Sequence, residues 1–89
     1  MTTIWKFPVP IEDCFELSMP AGARLLSVQC QHGEPQLWAL VEPDAPGECR
    51  RFYVAGTGHL RGDLDGATYV GTFQIADGIL VFHLFEGKP

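Results

Sequence analysis

The side chains best suited to coordination, nucleophilic attack or anion binding are three histidines, three cysteines and the arginines of one stretch. That stretch is RRFYVAGTGHL, Arg50 to Leu60. Gly56-Thr57-Gly58 offers backbone amides to an anion, with Arg51 and His59 close by in sequence. Phosphate loops, however, use longer glycine patterns that feed a helix N-terminus, whose dipole adds to the amides. No helical pattern follows here, so the glycines read as the sharp exit from a strand. His32 falls in a hairpin loop and His83 on an apolar strand, so no metal site is expected from them. Cys14, Cys30 and Cys49 form no CxxC unit and cannot all pair, which reads as free thiols in a reducing cytoplasm.

Nucleophilic chemistry finds no support either. No nucleophile elbow surrounds a serine or cysteine. Asp44, Glu48, Asp63 and Asp65 lie in polar connections, where solvation accounts for them. Arg61-Gly62-Asp63 spells an adhesion tripeptide, read here as coincidence. No catalytic residue and no cofactor is assigned, and the chain reads as a non-enzyme. The aromatics Trp5, Trp38, Phe52, Tyr53 and Tyr69 are placed on strands, where an exposed face would stack a planar ligand. A nucleotide-like signal held by Arg51, Tyr53, His59 and Trp38 at a subunit interface is the small-molecule reading.

The elements that must carry these residues are strands. The chain has 89 residues, 46% of them apolar, which suits one domain over 1–89 with a modest core. Proline or glycine recurs too often for a long amphipathic helix. TIWKFPV alternates Ile4 and Lys6 against Trp5 and Phe7, and CFELSMP is a second short run. ARLLSVQCQ and QLWALVE form a hairpin about His32-Gly33-Glu34-Pro35. EPDAPGE is a loop, CRRFYVAG a further strand, and TGHLRGDLDG a polar connection. In ATYVGTFQIADGILVFHLFE, Asp77-Gly78 suits the positive φ angles of a type I′ turn. About seven antiparallel strands are therefore expected, closing as a small barrel or sandwich with no long helix.

The last strand is apolar on both faces. Ile79, Val81, His83 and Phe85 share one side, and Leu80, Phe82 and Leu84 the other. In so small a domain the second cover is either a folded-over strand or another subunit, and a homodimer is the preferred reading.

Charge narrows the partner. Eleven acidic residues against six basic ones give a net charge of −5. Nucleic acid, which needs a positive footprint, is disfavoured, and a basic protein surface is the better match. No charged segment followed by an apolar one opens the chain, and no run approaches a membrane span. A cytoplasmic location is expected.

Four strings occur in order: TIWKF, LLSVQCQHGEPQLWALVEP, RRFYVAGTGH and YVGTFQIADGILVFHLFE. Together they resemble, from Thr3 to Glu86, a family of short proteins of tailed phages and prophages with a domain of unknown function. The resemblance carries no catalytic or binding residues. It implies an accessory protein in the host cytoplasm that binds a host protein or signalling molecule and blocks antiviral defence. A structural part of the virion is the remaining alternative.

Overall fold

Strand alternation and glycine-bearing turns dictate most of the architecture. The computed structural model describes residues 1–88. Its strands are β1 (Thr3–Pro8), β2 (Cys14–Pro20), β3 (Arg24–Gln31), β4 (Glu34–Val41), β5 (Gly47–Gly56), β6 (Thr68–Ile75) and β7 (Leu80–Glu86). The helical elements are two single 3-10 turns, Gly62–Leu64 and Ala76–Gly78. Sheet A runs β1-β4-β3 and sheet B runs β2-β5-β7-β6, with every pairing antiparallel. The two sheets do not join into a barrel, so the fold is a sandwich.

Alternating residues of each strand fill the space between the sheets. Leu37, Ala39 and Val41 of β4 meet Phe52 and Val54 of β5 and Leu84 of β7. Phe15 stacks on Phe52 with ring centres 5.6 Å apart. At one end Arg50 closes this core. Its guanidinium donates to both carboxylate oxygens of Glu86, at 2.6 and 2.9 Å, and to the Ala23 carbonyl at 2.6 Å.

The β3–β4 loop is shorter than the sequence suggested. His32 (φ 52°) and Gly33 (φ 80°) alone make the turn, between the paired residues Gln31 and Glu34. Both take the left-handed conformation that a two-residue hairpin demands. Glu34 and Pro35 already belong to β4. Pro35 is tolerated there because its carbonyl, and so its missing N–H, faces β1 beyond the end of the β1 ladder at Pro8↔Gln36.

Asp77 (φ 56°, ψ 35°) and Gly78 (φ 87°) form the expected type I′ turn, closed by the Ile79 N–H on the Ala76 carbonyl at 3.1 Å. Ala76 is also left-handed, so the ladder begins one pair later, at Ile75↔Leu80. Ile79 consequently leaves the strand and is exposed.

Within one chain the last strand is covered unequally. Leu84 is fully buried beneath sheet A, but Val81, His83 and Phe85 on the other face are only half-buried. Even on the Leu84 face the cover is partial, since Leu80 is 46% exposed and Phe82 half-buried. Within sheet B the strand is internal, between β5 and β6.

Where the sheets meet, β3 and β6 approach closely. Gly71 lies so near Val28 that a Cβ there would stand 2.6 Å from Val28 Cγ1. The Cys30 thiol adds a contact to the Gln74 carbonyl at 2.9 Å. Each of these two strands carries a one-residue bulge, at Leu26 and at Val70.

Candidate functional site

The outer face of sheet B gathers the polar and aromatic residues with free surface. Cross-strand pairing sets its rows. Tyr53 of β5 stands beside Phe85 of β7, which stands beside Tyr69 of β6. The next row is Ala55, His83 and Thr72. Tyr69 meets Phe85 edge-on, 5.6 Å between ring centres. Tyr53 leans over Gly87, where a Cβ would come within 2.9 Å of the ring. These rings form a band across three strands, with Tyr69 the most open of them.

A chain of hydroxyls runs beside that band. The Tyr69 hydroxyl is 2.6 Å from Thr72 Oγ1, which is 2.9 Å from His83 Nδ1. His83 Nε2 is in turn 2.7 Å from Thr57 Oγ1. Both imidazole nitrogens are thus occupied, and because hydroxyls donate or accept, either neutral tautomer fits. The Thr57–His83 spacing is that of a nucleophile and its base. Thr72 nevertheless stands where acyl-transfer triads place a carboxylate, so no charge is present to stabilise an imidazolium. What the chain does is tie the Gly56–His59 turn to β7 and β6.

That turn is the end of β5. The His59 N–H returns to the Gly56 carbonyl at 3.2 Å, and the Thr57 N–H bonds the Val81 carbonyl at 3.3 Å. Gly58 supplies the positive φ of 87°. The threonine therefore serves the sheet, and the glycines serve the bend.

Of the residues singled out for a ligand, Arg51 and Tyr53 share this face. His59 is exposed, with its ring over Gly56. Gly56 pairs with Phe82 in the row facing the other sheet, so His59 sits on the opposite side of β5 from Arg51. Trp38 is on β4, beside Lys6 and Ser27, on the outer face of sheet A. Within one chain these four residues do not converge. Phe52 is fully buried in the core, and Trp5 lies on β1.

Arg51 is not a free cation. Its guanidinium lies 3.5 Å from the Glu16 carboxylate, across the β2–β5 pairing. Tyr53, Cys14 and Glu16 all favour its charged form and raise its already high pKa. Arg51 and Tyr53 line a broad open concavity of about 1060 Å³, walled by Glu16, Glu48, Asp63 and Asp65. Carboxylates outnumber cations in that lining.

Arg61 anchors the connection on this side. It donates to the Val54 carbonyl at 2.7 Å, the Asp13 carbonyl at 2.9 Å and the Asp63 carboxylate at 2.8 and 2.9 Å. Its side chain is only 13% exposed. Within the adhesion tripeptide the Arg61 side chain is thus turned inward and paired with Asp63, while Gly62 and Asp63 stay exposed. The Arg61 guanidinium also holds the Asp63 carboxyl below its ordinary pKa.

Phe85, His83, Thr57 and Thr72 were not linked by sequence reasoning. Alternation places His83 and Phe85 on one face, but nothing local names their neighbours on β5 and β6. Cys14 and Cys49 are exposed on the same sheet, unpaired.

A family model described as a domain of unknown function, DUF7352, matches residues 1–89. Among curated proteins and among solved structures, none matches the chain. The chain therefore belongs to the DUF7352 family, whose domain spans its whole length.

Proposed function

We propose that this domain is a non-enzymatic binding module that engages a host protein with a basic surface through the outer face of sheet B. One observation carries the reading: the Tyr53–Phe85–Tyr69 band lies open on that face beside a concavity in which carboxylates outnumber cations. Aromatic faces accept Lys and Arg side chains through cation–π contact, and carboxylates steer them in. The same features disfavour a nucleotide, because Arg51 is shared with Glu16 and phosphates would meet carboxylates. The phage and prophage resemblance supplies the setting: an accessory protein in the host cytoplasm that occupies a component of antiviral defence. In this reading the domain works as a homodimer.

The test compares partner capture from infected cells by the natural domain and by Tyr69→Ala/Phe85→Ser. A specific partner retained by the first and lost by the second, at unchanged secondary structure, supports the module. Thermal stabilisation by nucleotides that disappears in Arg51→Ala would replace it with the small-molecule reading. Recovery of the chain in purified particles would favour a virion component.

A further inference from the structure

The two outer faces of the sandwich differ in sign. On sheet A, cross-strand pairing lines up Ile4, Leu40 and Arg24 in one row and Lys6, Trp38 and Ser27 in the next. Alternation normally reserves the solvent side of an antiparallel sheet for polar groups. Here Ile4 is 56% exposed, and Trp38 and Leu40 stand half-buried between Lys6 on β1 and Arg24 on β3. Lys6 reaches the neutral Gln31 side chain at 2.5 Å. Arg50, Arg51 and Arg61 all meet carboxylates, whereas Lys6 and Arg24 enter no ion pair among the described residues. The strands of sheet A hold a single acid, Glu34, at the hairpin end.

On sheet B the sign reverses. Once Arg50, Arg51 and Arg61 have taken Glu86, Glu16 and Asp63, the concavity is left with Glu48 and Asp65 against Lys88. The Tyr53–Phe85–Tyr69 band lies beside it. The molecule measures 39 × 30 × 15 Å, so the two outer faces are the broad sides of a slab. Each side spans on the order of 1000 Å², against roughly 800 Å² per partner in a standard interface.

We infer that the chain associates with itself head to tail, the outer face of sheet A of one copy stacking on the outer face of sheet B of the next. The contact rests on the dimeric reading above and gives that dimer its two surfaces. Charge complementarity selects the pairing. Sheet A on sheet A would oppose Lys6 and Arg24 to their own copies, and sheet B on sheet B would oppose carboxylates. Only the mixed contact brings Lys6 and Arg24 to Glu48 and Asp65, while Ile4, Trp38 and Leu40 cover the aromatic band. Tyr69 and Phe85 also accept a cation over their rings. Such a contact is heterologous, so it does not close on itself. A pair keeps one aromatic band free for the host protein, and longer stacks form as concentration rises.

Light scattering of the natural chain is expected to rise from the 9.8 kDa chain mass to twice that value and higher multiples with increasing concentration. Lys6→Glu/Arg24→Glu and Tyr69→Ala/Phe85→Ser should each stay at single mass, with the β-sheet circular dichroism spectrum retained. Mixed in equal amounts, the two variants should pair and stop at double mass, because each supplies the face that the other lacks. A two-fold contact is not restored by such mixing. One measurement needs no variant: carbodiimide should couple Lys6 to Glu48 or Asp65, which lie on opposite sheets of one chain and so meet only between copies. A natural chain of single mass at every concentration overturns the contact. So do folded variants that stay single when mixed, or a dimer in which Lys6 couples to neither carboxylate. Host-protein capture by a chain of single mass would keep the binding module and remove the stack; stacking without a captured partner would do the reverse.

Discussion

Tyr69 meets Phe85 at 68° with ring centres 5.6 Å apart because one extra residue, Val70, sits in β6. Counting back from the turn, Ile75 pairs with Leu80, Phe73 with Phe82 and Gly71 with Leu84. Strict alternation would next oppose Tyr69 and Glu86, on the side facing sheet A. The bulge shifts Tyr69 to Phe85 and swings the ring outward. The aromatic band thus depends on a backbone irregularity.

Removing that ring has a measurable cost. An edge-on aromatic pair contributes about 1 kcal/mol beyond burial. Tyr69→Ala should lower unfolding stability in urea by about that amount, and Tyr69→Phe by less, since only the Thr72 bond is lost. Equal losses for the two would mean that the ring contact contributes nothing.

Arg50 and Glu86 make a stronger prediction. Their side chains are 15% and 22% exposed and joined by two charge-assisted bonds. Arg50→Ala should cost about 2–3 kcal/mol, because it strands the Glu86 carboxylate and the Ala23 carbonyl at the sandwich end. The double variant Arg50→Ala/Glu86→Ala should lose less than the sum of the singles in denaturant titrations. Additive losses would show that the pair is not coupled.

Asp63 carries the pH dependence. Arg61 holds its carboxyl below the ordinary 3.8, so the folded state binds this proton less readily than the unfolded chain. The resulting stability is fully present above the ordinary carboxylate pKa and is lost as pH falls through the depressed value. Natural chain and Asp63→Asn should therefore differ most in Tm above about pH 5 and converge at lower pH. A gap that widens under acid would reverse the assignment.

Gly71 tests the close approach of β3 and β6. Its φ is not in the left-handed region, so a substitution there meets sterics alone. Gly71→Ala should destabilise by about 1–3 kcal/mol through the clash with Val28. Val28→Ala in the same chain should recover part of that loss. If the double variant is no better than additive, Val28 is not the obstacle.

Much of the local structure was legible. Alternation in Ile4 to Phe7, Leu37 to Val41 and Leu80 to Phe85 marks strands, and Asp77-Gly78 marks a left-handed turn. The candidate face was less so. Arg51 and Tyr53 share a side by parity, but Tyr69 joins them only through the bulge. Thr57 reaches His83 across 26 residues of sequence. Trp38, an aromatic strand residue, and Arg51, a cationic one, stand on strands of different sheets.

By itself the amino-acid sequence determined that this protein is built of short antiparallel strands, where they turn, and that its charge is acidic. Those properties follow from φ/ψ preferences and side-chain alternation, which act over a few neighbouring residues. Only the tertiary structure decided which strand joins which sheet, where the two bulges fall, and that β1 is left with an open flank. Such choices depend on packing between residues far apart in the chain: Val28 against Gly71, Arg50 against Glu86, Trp5 beyond the reach of sheet B. Local preference has no means of ranking those alternatives.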